Sequence, residues 1–124
     1  MSTSRRLITG TTAFLAVLSS LLISAVPAAA DTPHCNGLLC AQLVGANTTR
    51  FVIQEYTDAV FTGHFQLQTP AGANLSTADA NYGVGGGFKF NVTRLNGKYC
   101  ANQWRHNSSG GYDRVGGICW NINA

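Results

Sequence analysis

The chemistry open to this chain rests on few ionisable groups. They are His34, His64, His106, Asp31, Glu55, Asp58, Asp79, Asp113 and eight lysines and arginines in 124 residues. Small secreted nucleases and hydrolases can work with a carboxylate, histidines and an arginine acting as base, acid and phosphate clamp. Glu55, His64, His106 and Arg105 are the residues that could fill those roles here, the reading of a small hydrolase or nuclease toxin. Each also has a plainer reading. Glu55 and His64 fall at polar positions of strand-like stretches, and His106 opens a turn opposite Asp113, where a surface pair suffices.

Other catalytic signatures are missing. The sequence holds no G-x-S-x-G elbow, H-E-x-x-H pair or Walker loop. The run Gly83-Val84-Gly85-Gly86-Gly87 lacks the Lys-Ser/Thr ending of a phosphate loop and reads as a corner or crossing. The four cysteines are not in metal-ligand spacing, and no histidine pair completes a zinc set, so neither a metal nor a cofactor is expected.

Trp104 suggests binding instead. An indole flanked by amides suits a sugar-stacking or partner-binding patch. The expected strand register sets Trp104 beside Lys89, Asn91 and Asn102.

The elements that position these groups begin after a leader. Arg5 and Arg6 precede an apolar run from Thr12 to Val26, and Ala28-Ala29-Ala30 follows. That order is the pattern of a secretory signal peptide over residues 1–30. The run is broken by Ser19, Ser20 and Ser24 and is short for a bilayer span, which needs roughly 20 residues. Residues 31–124 then form one secreted domain, with no membrane association once the leader is cleaved. Its six basic residues against five acidic ones leave +1 of the original +3. So weak a field gives no reason to expect a nucleic-acid partner. Four Asn-x-Ser/Thr sequons, at Asn47, Asn74, Asn91 and Asn107, read as products of an Asn- and Thr-rich surface.

Four cysteines in a short exported domain point to two disulfides. Cys100 and Cys119 lie equally far from the midpoint of Ser109-Gly110, inside the turn-like stretch Asn107–Gly111. A hairpin there sets them face to face, within bridging distance. Cys35 and Cys40 flank the turn signal Asn36-Gly37. The expected pairs are Cys35–Cys40 and Cys100–Cys119.

Between the cysteines, apolar residues alternate in short runs separated by Gly, Asn, Pro and Ser, with no helix-length periodicity. Phe61, Gly63, Phe65 and Leu67 alternate with Thr62, His64, Gln66 and Gln68, as in a half-buried strand. Phe51–Tyr56 is β-rich, and Pro70–Asn81 is loop-like. Asn96-Gly97 reads as a two-residue hairpin turn joining Phe88–Thr93 to the strand of Trp104. A second hairpin continues to Ile122, setting Trp104 opposite Val115. Phe88, Phe90, Val92, Tyr99, Ala101, Ile118, Trp120 and Ile122 form the expected core face of that three-stranded meander. A bulge near Gly116-Gly117 would shift its register by one. The fold class is all-β: a small sandwich or Greek-key barrel of six to eight short antiparallel strands, stapled by two disulfides.

Gly63-His64-Phe65-Gln66-Leu67, the glycine run before Phe88-Lys89-Phe90, Tyr99-Cys100-Ala101-Asn102-Gln103-Trp104 and the closing Cys119 resemble small secreted actinobacterial proteins. Those are two-disulfide, β-rich proteins. The resemblance implies a secreted β-domain and carries no activity with it. The leading expectation is therefore a secreted, monomeric, non-catalytic module that binds an extracellular polysaccharide or protein. An inhibitor presenting Asn107–Tyr112 or Pro70–Asn81 as a rigid loop is one version. The hydrolase or nuclease toxin is the alternative, and a structural surface protein is a third.

Overall fold

The alternation of apolar and polar residues builds two antiparallel sheets that bury one face each against the other. The computed structural model describes residues 31–124; the leader lies outside the described residues. Among the described residues nine strands are formed: β1 His34–Asn36, β2 Leu39–Ala46, β3 Arg50–Thr57, β4 Phe61–Gln68, β5 Asn74–Ser76, β6 Ala80–Tyr82, β7 Gly87–Thr93, β8 Gly97–His106 and β9 Tyr112–Ile122. The first sheet runs β1-β2-β3-β7. The second runs β9-β8-β4, with β5 and β6 both pairing along the far edge of β4. Among the described residues, no helix is long and apolar enough to cross a membrane.

The core lies between the sheets. Leu39, Ala41, Leu43, Phe51, Ile53, Phe90 and Val92 come from the first sheet, and Phe61, Phe65, Leu67, Tyr99, Ala101, Trp120 and Ile122 from the second. β4 has its expected pattern, with Phe61, Gly63, Phe65 and Leu67 inward. Of the residues expected on the meander's core face, Phe90, Val92, Tyr99, Ala101, Trp120 and Ile122 are buried, Ile118 is partly so and Phe88 is exposed. Phe88, Phe90 and Val92, however, belong to the first sheet and not to one face with the others.

Both expected disulfides are present. Cys35–Cys40 bridges β1 to β2, and Cys100–Cys119 bridges β8 to β9 across directly opposed positions. Each bond stays inside one sheet.

Two register expectations are corrected. Asn96-Gly97 does not close a hairpin, because β7 pairs with β3 in the first sheet rather than with β8. The link from β7 to β8 is a crossing between sheets. The Tyr99 hydroxyl pins it by donating to the Leu95 carbonyl at 2.6 Å. Gly97, at φ 140°, pairs with Ile122, and a Cβ there would meet the Pro70 ring at 2.9 Å. Lys89 therefore lies opposite Gln54 and not Trp104.

The second correction is at β9. A bulge between Arg114 and Gly116 makes Arg114, not Val115, the partner of Trp104. Below the bulge the expected pairs Asn102–Gly117 and Cys100–Cys119 hold. The extra residue has a use: the Val115 carbonyl accepts from Leu38 N at 2.9 Å, and Gly37 bridges Gly116. This joint closes one edge of the sandwich. It requires glycine at both positions, since a Cβ on Gly37 or Gly116 would run into Val115 O or Leu39.

The glycine run 83–87 is a tight corner. Gly85 N donates to Thr57 O at 2.8 Å, and Gly86 O accepts from Thr57 N at 2.9 Å, so the corner clamps the end of β3.

Candidate functional site

Strand alternation sends every second residue of β4, β8 and β9 to the outer face of the second sheet. Gln66 pairs with Asn102, His64 with Trp104, Arg114 with Trp104 and Tyr112 with His106. One surface therefore carries His64, Gln66, Asn102, Trp104, His106, Tyr112 and Arg114.

These side chains hold one another. Gln66 is a hub: its carbonyl accepts from Trp104 Nε1 at 3.0 Å and Asn102 Nδ2 at 3.3 Å. Its own amide nitrogen donates to Asn74 Oδ1 at 2.8 Å. Arg114 Nε closes the row by donating to Asn102 Oδ1 at 2.7 Å. The guanidinium lies against Gly117, where any Cβ would collide with it. Trp104 is half-buried, its ring NH fixed within the row. Asn102 was expected on a solvated face; it points outward but is buried under these partners.

A second cluster adjoins the first and centres on Asp79, in the segment between β5 and β6. Its two oxygens divide the work. Oδ1 meets His64 Nδ1 at 2.8 Å, while Oδ2 meets His106 Nε2 at 2.8 Å and accepts from the Tyr112 hydroxyl. The Tyr112 ring packs between the imidazoles, 4.8 Å from His64 and 4.6 Å from His106 by centroids. The hydrogen bond from Tyr112, then that from His64, holds the Asp79 carboxyl down at about 2. In return Asp79 pushes the Tyr112 phenol above its ordinary value. Asp79 is thus an anion across the whole physiological range, aligning two rings and a phenol.

The structure separates the other sequence candidates. His64 and His106 converge, but Glu55 is fully buried between the sheets. Burial alone lifts its carboxyl to about 9, so it is no solvent-facing base. Arg105 alternates to the opposite side of β8 from His106 and pairs with Asp113 at 3.7 Å. Lys89 and Asn91 sit on β7 in the first sheet, away from Trp104 and Asn102. Asn91 instead accepts from Arg50 Nε at 2.8 Å beside an open groove of about 310 Å³, which Leu75, Leu95 and Tyr99 also line. No cluster of His, Cys, Asp or Glu suited to a metal ion occurs among the described residues.

Within the Asn107–Tyr112 stretch, the Asn107 side chain gathers the turn. Asn107 Oδ1 accepts from Ser109 N, Ser109 Oγ and Gly111 N, and its amide donates to Asp113.

Sequence reasoning missed Asp79, Gln66 and Tyr112 as site residues. Gln66 was recoverable, since it shares the outward parity of His64 two residues away. Asp79 was not. Its place depends on a three-residue strand, β6, pairing Ala80 with Gly63 and so setting Asp79 beside His64.

Compared with protein-family models, with curated proteins and with solved structures, the chain matches none.

Proposed function

We propose that the domain is a secreted, non-catalytic binding module whose ligand is an extracellular polysaccharide, held on the outer face of the second sheet. The observation that carries this reading is a hydrogen-bonded network in which Gln66 joins Asn74, Trp104 and Asn102, and Asn102 joins Arg114, with the Asp79 cluster beside it. A sugar offers an apolar ring face and a rim of hydroxyls. Trp104 and Tyr112 supply aromatic surface, and the amides, imidazoles and guanidinium supply donors and acceptors. Because these groups are already tied in place, little side-chain entropy is lost on binding. Two disulfides in a small β-domain support an oxidising, extracellular setting.

The test is retention of the purified protein on insoluble cell-wall and plant polysaccharides. Trp104→Ala is expected to weaken binding by about 2 kcal/mol, roughly thirtyfold, with an unchanged far-ultraviolet spectrum. Wild-type protein that washes off every polysaccharide, or a Trp104→Ala variant that binds as well as wild type, refutes the reading.

One observation favours a second reading. A carboxylate bridging two imidazoles is an arrangement that acid–base hydrolysis of a phosphodiester could use, with His64 and His106 as the pair. RNA cleavage with a bell-shaped pH profile, abolished by His64→Ala, would establish it in place of the binding module.

A further inference from the structure

Three polar side chains are sealed inside the sandwich at 0% exposure: Glu55 and Thr57 on β3, and Gln103 on β8. Glu55 and Thr57 point inward from one strand, and Gln103 meets Thr57 from the other sheet. Gln103 Nε2 donates to Thr57 Oγ1 at 2.9 Å. Among the described residues, the buried side-chain atoms without any partner are both Glu55 oxygens, Gln103 Oε1 and Trp120 Nε1. Leaving such groups unpaired is unfavourable, since each has given up water without a replacement. Three of the four orphaned atoms therefore belong to the acid and the amide in this one inner layer.

We propose that Thr57 and Gln103 react to form an intramolecular ester that links the two sheets, with release of ammonia. The hydroxyl is already in van der Waals reach of the carboxamide. The Gln103 carbon is one C–N bond, about 1.33 Å, from a nitrogen that touches Thr57 Oγ1. A turn about the last side-chain torsion, which is soft for an amide, leaves that carbon in place and presents the face of its carbonyl to the oxygen. Reacting atoms held about 3–3.5 Å apart gain many orders of magnitude over the free reaction.

Thr57 is held for attack. Its backbone NH and carbonyl are clamped by Gly86 and Gly85, and its hydroxyl is oriented by the Ala59 carbonyl at 2.7 Å. Glu55 stands two residues earlier on the same inward face of β3, as a neutral acid because of its burial. A neutral carboxyl is a donor, and Gln103 Oε1 is an acceptor without a partner in the same layer, which the proposed step brings into use.

The step balances without any co-reactant. Thr57 Oγ1 adds to Gln103 Cδ while Glu55 gives its proton to Oε1. The Thr57 proton passes to Nε2. The carbonyl then re-forms, the Cδ–Nε2 bond breaks, ammonia departs and the proton returns to Glu55. Nothing is oxidised or reduced. Complete burial keeps water from the carbonyl, which protects the ester afterwards. The bond supplies what the disulfides do not, since each of those lies within a single sheet.

The experiment is intact-mass spectrometry of the purified folded wild-type protein, followed by proteolysis and peptide mapping. The expected result is a chain lighter than its disulfide-bonded sequence by one ammonia, and a peptide pair joined through Thr57 and Gln103. The joined pair should separate on treatment with hydroxylamine. Glu55→Gln should slow the mass loss at least tenfold, and Thr57→Val should abolish it. A wild-type chain that keeps the full mass after prolonged incubation overturns the proposal, whatever the variants do. So does an ammonia loss confined to the Asn96-Gly97 peptide, the mark of a succinimide.

Discussion

Replacing Glu55 by Gln should remove a steep pH dependence of stability. The Glu55 carboxyl is raised from 4.5 to about 9 in the folded chain by desolvation. Between those values the unfolded chain releases the proton and the folded chain keeps it. Fewer protons bound in the unfolded state means that stability falls as pH rises, by about 1.4 kcal/mol per pH unit. The stabilisation is complete below pH 4.5, declines through neutrality and is gone above the folded value near 9. From about pH 5 to about pH 8 the wild type should lose about 4 kcal/mol from this group alone, a large fraction of a small domain's stability of about 5–15 kcal/mol.

Glutamine keeps the shape and cannot ionise, so Glu55→Gln should lack this slope. Asp79, lowered to about 2, acts in a more acidic window and is common to both proteins. The assay is urea unfolding at several pH values for both proteins, comparing slopes rather than absolute stabilities. An inter-sheet ester shifts the offset between the two curves and leaves their pH dependence alone. Parallel curves for wild type and variant would refute the burial argument, as would a wild type that grows more stable between pH 5 and 8 relative to Glu55→Gln.

Two further outcomes follow from the outer face and the sheet joint. Asp79→Asn should return the Tyr112 phenol toward its ordinary value of 10, seen as an earlier rise in tyrosinate absorbance, and should loosen polysaccharide binding. It should also remove the acid-labile stability that Asp79 supplies, which is present above its unfolded value of 3.8 and lost as pH falls towards about 2. Gly116→Ala should destabilise the domain by about 1–3 kcal/mol through overpacking, because the new methyl would sit 2.5 Å from Leu39 Cβ; a thermal midpoint equal to wild type would contradict this.

How far the sequence could be read depended on the range of the contact involved. Alternation in Phe61–Gln68 depends only on neighbours two residues apart, and it gave β4 and its buried face without error. The symmetric placement of Cys100 and Cys119 about one turn gave their pairing for the same reason. Asn96-Gly97 carried the same local signal as a hairpin, yet the chain crosses between sheets there. What decides the matter is the pairing of Phe90 with Ile53, thirty-seven residues away, and no turn motif encodes it. The site divided along the same line. Trp104 and Asn102 share one strand and one parity, so they were found together. Lys89 and Asn91 were added through a hairpin that does not exist, and Asp79 was missed because a three-residue strand carries it to His64. Glu55 looked like an accessible base because strand parity does not say which face is core. Only the packing of the second sheet over β3 settles that.

The same parity makes β8 the organising element of the molecule. Its inward residues Tyr99, Ala101 and Gln103 belong to the core and to the buried acid–amide–hydroxyl layer, while Cys100, Asn102, Trp104 and His106 face outward. A slip of one residue would exchange the two sets, placing an indole and an imidazole in the core and a tyrosine and an amide outside. Two features hold the register. The Cys100–Cys119 bond fixes the β8–β9 pair near one end, and β4 pairs along β8 from Cys100 to Arg105 on its opposite edge. The β9 bulge lies opposite Gln103 and Trp104, where β4 holds β8 in place while the extra residue is absorbed by β9. It turns the Val115 carbonyl out of the ladder to meet Leu38 on the first sheet. What is an irregularity within one sheet therefore supplies a hydrogen bond to the other, alongside those of Asn36 to the Gly117 carbonyl and of Gln103 to Thr57.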